Sequence, residues 1–105
     1  MQITTTFRHM ESSDALKDIV QDKVSKLKTY IQGHFEAAVV LSAERHLHEC
    51  DMTISTQWGQ TYKGKEKHED VYAAITKVMD KIERQAEKDK GRMRAHRSAH
   101  VDSVE

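Results

Sequence analysis

Proline is absent from this 105-residue chain, cysteine occurs once, as Cys50, and glycine only four times. A lone cysteine excludes an internal disulfide framework. Without proline or a Gly/Ser-rich run there is no linker to divide the chain into separate domains, and no internal repeat is visible. The length then points to one domain. A net charge of one sign is also missing, since 17 Lys+Arg balance 17 Asp+Glu. No apolar run approaches the roughly 18 residues of a membrane-spanning helix. The first residues, Met1 to Phe7, lack the basic and apolar regions of a secretory signal. No glycine-rich phosphate loop is present. The absences leave a cytosolic single-domain protein as the expectation. Its 37% hydrophobic and 6% aromatic content is enough for a small core.

The neutral total hides an asymmetry. Residues 1–60 hold six basic and eight acidic residues, whereas residues 61–100 hold eleven and seven. Between Lys88 and Arg97 there are five basic residues and one acid. A local basic run on a neutral chain points to an anionic partner rather than to general stickiness. The seven histidines read as surface residues that add positive charge below neutral pH.

Periodicity supplies the elements. Residues 2–8, Thr-rich with Ile3 and Phe7, predict a first strand. Ser12-Ser13-Asp14 offers a helix cap, and Leu16, Ile19, Val20, Val24, Leu27 and Ile31 follow at helical spacing. A helix over about 12–31 results, closed by Gly33. Residues 38–43 predict a second strand. Residues 49–57 predict a third, with Cys50, Met52, Ile54 and Thr56 on one face. Residues 45–48 form the hairpin between them. Residues 61–65 predict a short fourth strand whose lysines suit an exposed edge. From Glu69 the period is helical again, with Val71, Ile75, Val78, Met79, Ile82 and Ala86 as the core stripe to at least residue 90. The order is β-α-β-β-β-α. Two amphipathic helices need one surface, and a four-stranded sheet with both on one face supplies it, an α+β fold. Residues 95–105, poor in apolar side chains, are expected to be a short flexible tail.

On the last helix Lys77, Lys81, Arg84, Lys88 and Arg92 recur at spacings of 4, 3, 4 and 4. They fall within about 80° of one another, away from the core stripe. Lys90, Arg94 and Arg97 extend the row. Asp80, Glu83 and Glu87 lie to one side and offer local pairing. Such a row is either an ordinary solvated face or a ridge that tracks phosphates. On the first helix Lys17 and Lys28 share one edge of the core face, Lys26 lies on the other, and Lys23 sits near the stripe, where it snorkels. With the helices side by side, these lysines would border one groove.

Other constellations are weaker. His46, His48 and Cys50 alternate as zinc ligands on one strand face would, but they fall in or beside a predicted turn. Cys50 with His48 lacks a third group or an oxyanion donor. Trp58 and Tyr62 could stack on bases. The expectation is a protein without catalytic residues, metal or cofactor.

Several strings together resemble the bacterial ribosome hibernation-promoting factor and ribosome-associated inhibitor family. They are Arg8-His9, Ser13-Asp14-Ala15-Leu16, residues 23–30 (KVSKLKTY), Glu44-Arg45 with His48, residues 70–75 (DVYAAI) and residues 80–85 (DKIERQ). The resemblance covers about residues 1–94. It implies a double-stranded-RNA-binding-like fold that binds the small ribosomal subunit in the mRNA and tRNA channel. Translation would thereby be silenced in stationary phase or stress. Carried over by position, the residues on 16S rRNA would be Arg8, Lys23, Lys26, Lys28, Lys77, Lys81, Arg84, Lys88, Lys90, Arg92 and Arg94. Phe7 departs from the glycine common before Arg-His. The length resembles the short form of the family, which implies a separate ribosome modulation factor as a second partner. No membrane or DNA partner is implied. The rivals are a free double-stranded-RNA module, a metal or thiol enzyme at His46, His48 and Cys50, and an adaptor using the sheet face.

Overall fold

Alternation at the N-terminus does form a strand. The structure, a computed structural model, describes residues 1–103, with side chains through Asp89. Its elements are β1 (Gln2–Arg8), α1 (Asp14–Ser25), a 3-10 turn (Lys26–Thr29), β2 (Phe35–Glu44), β3 (Leu47–Thr56), β4 (Thr61–His68) and α2 (Val71–Ser103). The expected β-α-β-β-β-α order holds. The sheet order is β1-β2-β3-β4. β1 runs parallel to β2, with α1 as the crossover, and the other two pairings are antiparallel.

One sheet face is apolar because every second residue points into it. Ala37, Val39 and Leu41 of β2 meet Cys50, Met52 and Ile54 of β3 and Tyr62 of β4 there. Leu16, Val20 and Val24 of α1 and Ala74, Ile75, Val78, Met79, Ile82 and Ala86 of α2 close the core from above. Ile3 and Phe7 of β1 are half-buried against it. Phe7 thus has a packing role at the end of β1.

Ser13 caps α1, its Oγ accepting from the Leu16 N–H at 3.2 Å. This satisfies one of the orphan donors of a helix start. α2 begins at Val71 rather than Glu69 because Asp70 is its cap. The Asp70 Oδ1 accepts from the Tyr72 N–H at 2.9 Å, and the Asp70 N–H donates to His68 Nδ1 at 2.9 Å. The α-helical part of the first helix ends earlier than its apolar period, which the 3-10 turn carries on with Leu27 buried. The β2–β3 hairpin is tighter than expected. Only Arg45 and His46 lie between the strands, Arg45 with φ at 57°. Leu47 and His48 join β3.

α2 does not stop at Gly91 but continues to Ser103, through most of the stretch read as a tail. A single interior glycine costs a helix only about 1 kcal/mol against alanine, and the neighbouring Arg, Met and Ala favour the helix. Val104 and Glu105 lie outside the described residues.

The connections set one further relation. α1 leaves the end of β1 and α2 leaves the end of β4, and both strands run in the direction of β2. Each helix therefore returns antiparallel to these strands, and the two are parallel to each other. The C-terminal end of α1, residues 26–33, the β3–β4 loop and the turns of α2 near Asp89 are brought to one end of the sheet.

Candidate nucleic-acid interface

Buried Ala74, Ile75, Val78, Met79, Ile82 and Ala86 assign one side of α2 to the core. Lys77, Lys81, Arg84 and Lys88 are exposed on the other. The structure thus brings four of the five row positions to one solvated face. The side chains of Arg92, Lys90 and Arg94 lie outside the described residues. On the first helix Lys26 and Lys28 are exposed in the 3-10 turn, and Lys23 is half-buried. Arg8 stands apart from all of these. It alternates with half-buried Phe7 and is exposed with Gln2, Thr4 and Thr6 on the sheet face away from the helices.

The charge balance within the row differs from the sequence reading. Asp80, Glu83 and Glu87 were the expected partners along the helix, but the ion pair formed is Lys81 with Glu66 of β4. The hydrogen bond from Lys81 holds the Glu66 carboxyl below its ordinary range, and the charges of Lys81 and Lys77 act in the same direction. Among the described residues Lys77, Arg84 and Lys88 have no ion pair. Glu66 could have been found from the period of two, because it shares a strand face with Tyr62 and Gly64.

Gly64 lets α2 approach this strand. A Cβ there would stand 3.1 Å from Val78 Cγ1 and 3.3 Å from the Val78 carbonyl oxygen. About two turns on, Gln85 grips the outward-facing backbone of Lys63. Its Nε2 donates to Lys63 O at 2.7 Å and its Oε1 accepts from Lys63 N–H at 3.2 Å. These bonds cover a stretch of the β4 edge and fix the helix that carries the basic row.

The open sheet face carries charge of both signs in register. Glu49 stands across from Lys67 and Asp51 across from Lys65, and Lys65 Nζ lies 3.8 Å from Glu49 Oε2. Opposed charges one strand apart leave this face without the one-signed field that a polyanion needs.

The remaining candidates separate. Tyr62 is buried and its hydroxyl donates to Asp89 Oδ2 at 3.1 Å, so it offers no face to a base. Trp58 remains exposed. His46 lies in the turn, while the His48 Nδ1 sits 3.1 Å from Glu69 O. Cys50 is fully buried. Burial, aided by the charges of Asp51 and Glu49, pushes its thiol up to about 12. A thiol so held is protonated at neutral pH, the opposite of an activated nucleophile. No described helix is long and apolar enough to cross a membrane.

With that geometry in place, the relatives are informative. The sequence pattern described as Sigma 54 modulation protein / S30EA ribosomal protein matches residues 3–94. Over 96 residues the chain is 33% identical to the ribosome hibernation promoting factor of Escherichia coli strain K12, covering 91% of this chain and 100% of that protein. A ribosome hibernation promoting factor from Azotobacter vinelandii is 30% identical over 90 residues, covering 86% of this chain and 83% of its own length. Among solved structures, the Thermus thermophilus Protein Y N-terminal domain superposes with a TM-score of 0.78 at 30% identity, covering 84% of this chain and 98% of that one. A ribosomal subunit interface protein from Coxiella burnetii gives a TM-score of 0.74 at 21% identity over 87% and 99% of the two chains, and bears on the fold alone. By sequence pattern, whole-length relatives and architecture together, the chain belongs to the Sigma 54 modulation protein / S30EA ribosomal protein family, whose members are binding factors rather than enzymes.

Proposed function

We propose that this protein is a cytoplasmic ribosome hibernation factor. It occupies the mRNA and tRNA channel of the small subunit, contacts 16S rRNA through the basic faces of its helices, and inhibits translation in stationary phase or stress. Full-length similarity to proteins named ribosome hibernation promoting factor supports the role. The observation that carries the mechanism is the exposed row of Lys77, Arg84 and Lys88, backed by a buried stripe and free of described ion pairs. Lys26 and Lys28 on the neighbouring helix extend the cationic surface.

The mechanism is steric. A domain lodged where mRNA and tRNA bind excludes both, and needs only affinity, not chemistry. That affinity is largely electrostatic, since lysines and arginines that neutralise phosphates release counterions. Structured RNA is then read by shape and backbone more than by sequence. A ribosome modulation factor is the second partner this reading brings in.

Sucrose-gradient co-sedimentation with purified ribosomes tests the proposal. The expected profile has the protein with the small subunit and with whole ribosomes at low salt, and free at high salt. Absence from every ribosomal fraction at both salts overturns it. Equal affinity for a plain RNA duplex and for the small subunit would instead make the protein a general double-stranded-RNA module. Heavier particles in the same gradient would report ribosome dimers.

A further inference from the structure

Trp58 is the only tryptophan in the chain and is 62% exposed. Surface tryptophan is usually loose or covered, and this one is neither. Its indole N–H donates to the Gln32 carbonyl oxygen at 3.0 Å. Its loop is tied to the same neighbouring segment twice more. The Gln57 N–H donates to His34 O at 3.1 Å, and the His34 N–H donates to Gln57 Oε1 at 2.6 Å. On its other side the loop closes on itself, with the Gln60 N–H donating to Thr56 Oγ1 at 3.1 Å. Next in the chain, Gly59 has φ at 91°. The ring is therefore held in place while most of its surface stays open to solvent. Its one donor is already used, so it has a π face to offer and no hydrogen bond.

Charge decides which partner suits that face. Neither residues 29–33 nor residues 56–61 contain Asp or Glu. The parallel helices bring Lys26, Lys28 and the Lys88 turn of α2 to this same end of the sheet. The carboxylates at this end already have neighbours, Glu36 lying 3.8 Å from His34 Nε2 and Asp89 accepting from the Tyr62 hydroxyl. A rim led by lysines suits a polyanion and repels an Arg- or Lys-rich protein segment. A planar group from a polyanion is a nucleobase, and only an unpaired base exposes its face. We propose that Trp58 is a stacking platform for an unpaired RNA base, next to lysines that hold the flanking phosphates. This rests on the RNA-binding reading above and adds to it a contact that the basic row cannot make.

The test measures small-subunit affinity at two salt concentrations for the wild type, Trp58→Ala, Trp58→Phe and Lys77→Glu/Arg84→Glu. Urea midpoints confirm that each variant is folded. Stacking predicts roughly tenfold weaker binding for Trp58→Ala, near wild-type binding for Trp58→Phe, and an unchanged salt slope in both. Wild-type affinity in Trp58→Ala, with binding lost in the charge-reversed variant, overturns the stacking proposal and leaves the ribosome reading intact. If the wild type itself fails to bind ribosomes, that reading fails. Quenching of the Trp58 fluorescence by a single-stranded oligouridylate, and not by a matched duplex, then still supports stacking. Its absence overturns it. Ultraviolet cross-linking of Trp58 to ribosomal protein instead of rRNA also overturns it.

Discussion

At the scale of single residues, two side chains carry consequences that their identities alone did not announce. Cys50 is neutral and buried, with its thiol pushed up to about 12. A raised folded value means that burial stabilises below the unfolded thiol's value, about 8.5, and that stability drains away as pH rises through the window up to about 12. The loss approaches about 1.4 kcal/mol per pH unit. Tyr62, also raised to about 12, adds to the loss only from about pH 10 upward. Urea midpoints between pH 8.5 and 10 are therefore expected to fall for the wild type and to stay flatter for Cys50→Ala. Equal slopes would remove Cys50 as the cause. Glu66 is the second case. It occupies Lys81 and sits close to Lys77, so it subtracts from the basic row. Glu66→Gln is expected to tighten ribosome binding roughly two- to fivefold at low salt, in proportion to a surface ion pair. An unchanged or weaker affinity would show that Lys81 already leaves Glu66 in the complex or takes no role in it.

At the scale of elements, the decisive contact is α2 on β4. Gly64 is buried beneath the helix, and one of the atoms that a Cβ would crowd is the Val78 backbone carbonyl, which cannot turn aside as a side chain can. Gly64→Ala should therefore shift the helix or strain it, at about 1–3 kcal/mol. Chemical denaturation checks this, and a variant as stable as wild type would mean that α2 moves outward without cost. The Gln85 bonds to Lys63 sit about two turns away on the same helix. They explain why a polar residue occupies the rim of the apolar stripe and how an edge strand with only lysines for protection is covered.

For the molecule as a whole, the parallel course of the two helices matters most. It places basic residues from two elements, and the tryptophan of a third, at one end of the sheet, while the uncovered sheet face stays electrically mixed. Reversing Lys77, Arg84 and Lys88 together to Glu is expected to weaken co-sedimentation with ribosomes by more than tenfold and to flatten its salt dependence. Thermal stability should hardly move, because exposed substitutions away from caps and cores change it by about 0.5 kcal/mol or less. A large drop in melting temperature, or unchanged co-sedimentation, would each count against the row as a binding surface.

Local pattern was enough for the element order, the buried stripe of both helices and the inward residues of β3. These follow from periods of 3.6 and 2.0, which neighbouring residues carry in full. The helical spacing of Lys77, Lys81, Arg84 and Lys88 was legible for the same reason. Pairing across elements was not. That Lys81 meets Glu66, that Gln85 holds Lys63, that Tyr62 is buried and Trp58 is not, all depend on which strand lies under which turn of α2. The end of α2 was not legible either, because one glycine looks like a stop although a helix tolerates it. The sequence by itself determined which faces are apolar and which are charged, since side-chain spacing along one element settles that. Only the tertiary structure decided which charges are cancelled and which aromatic ring is left open, because those depend on distances between residues far apart in the chain.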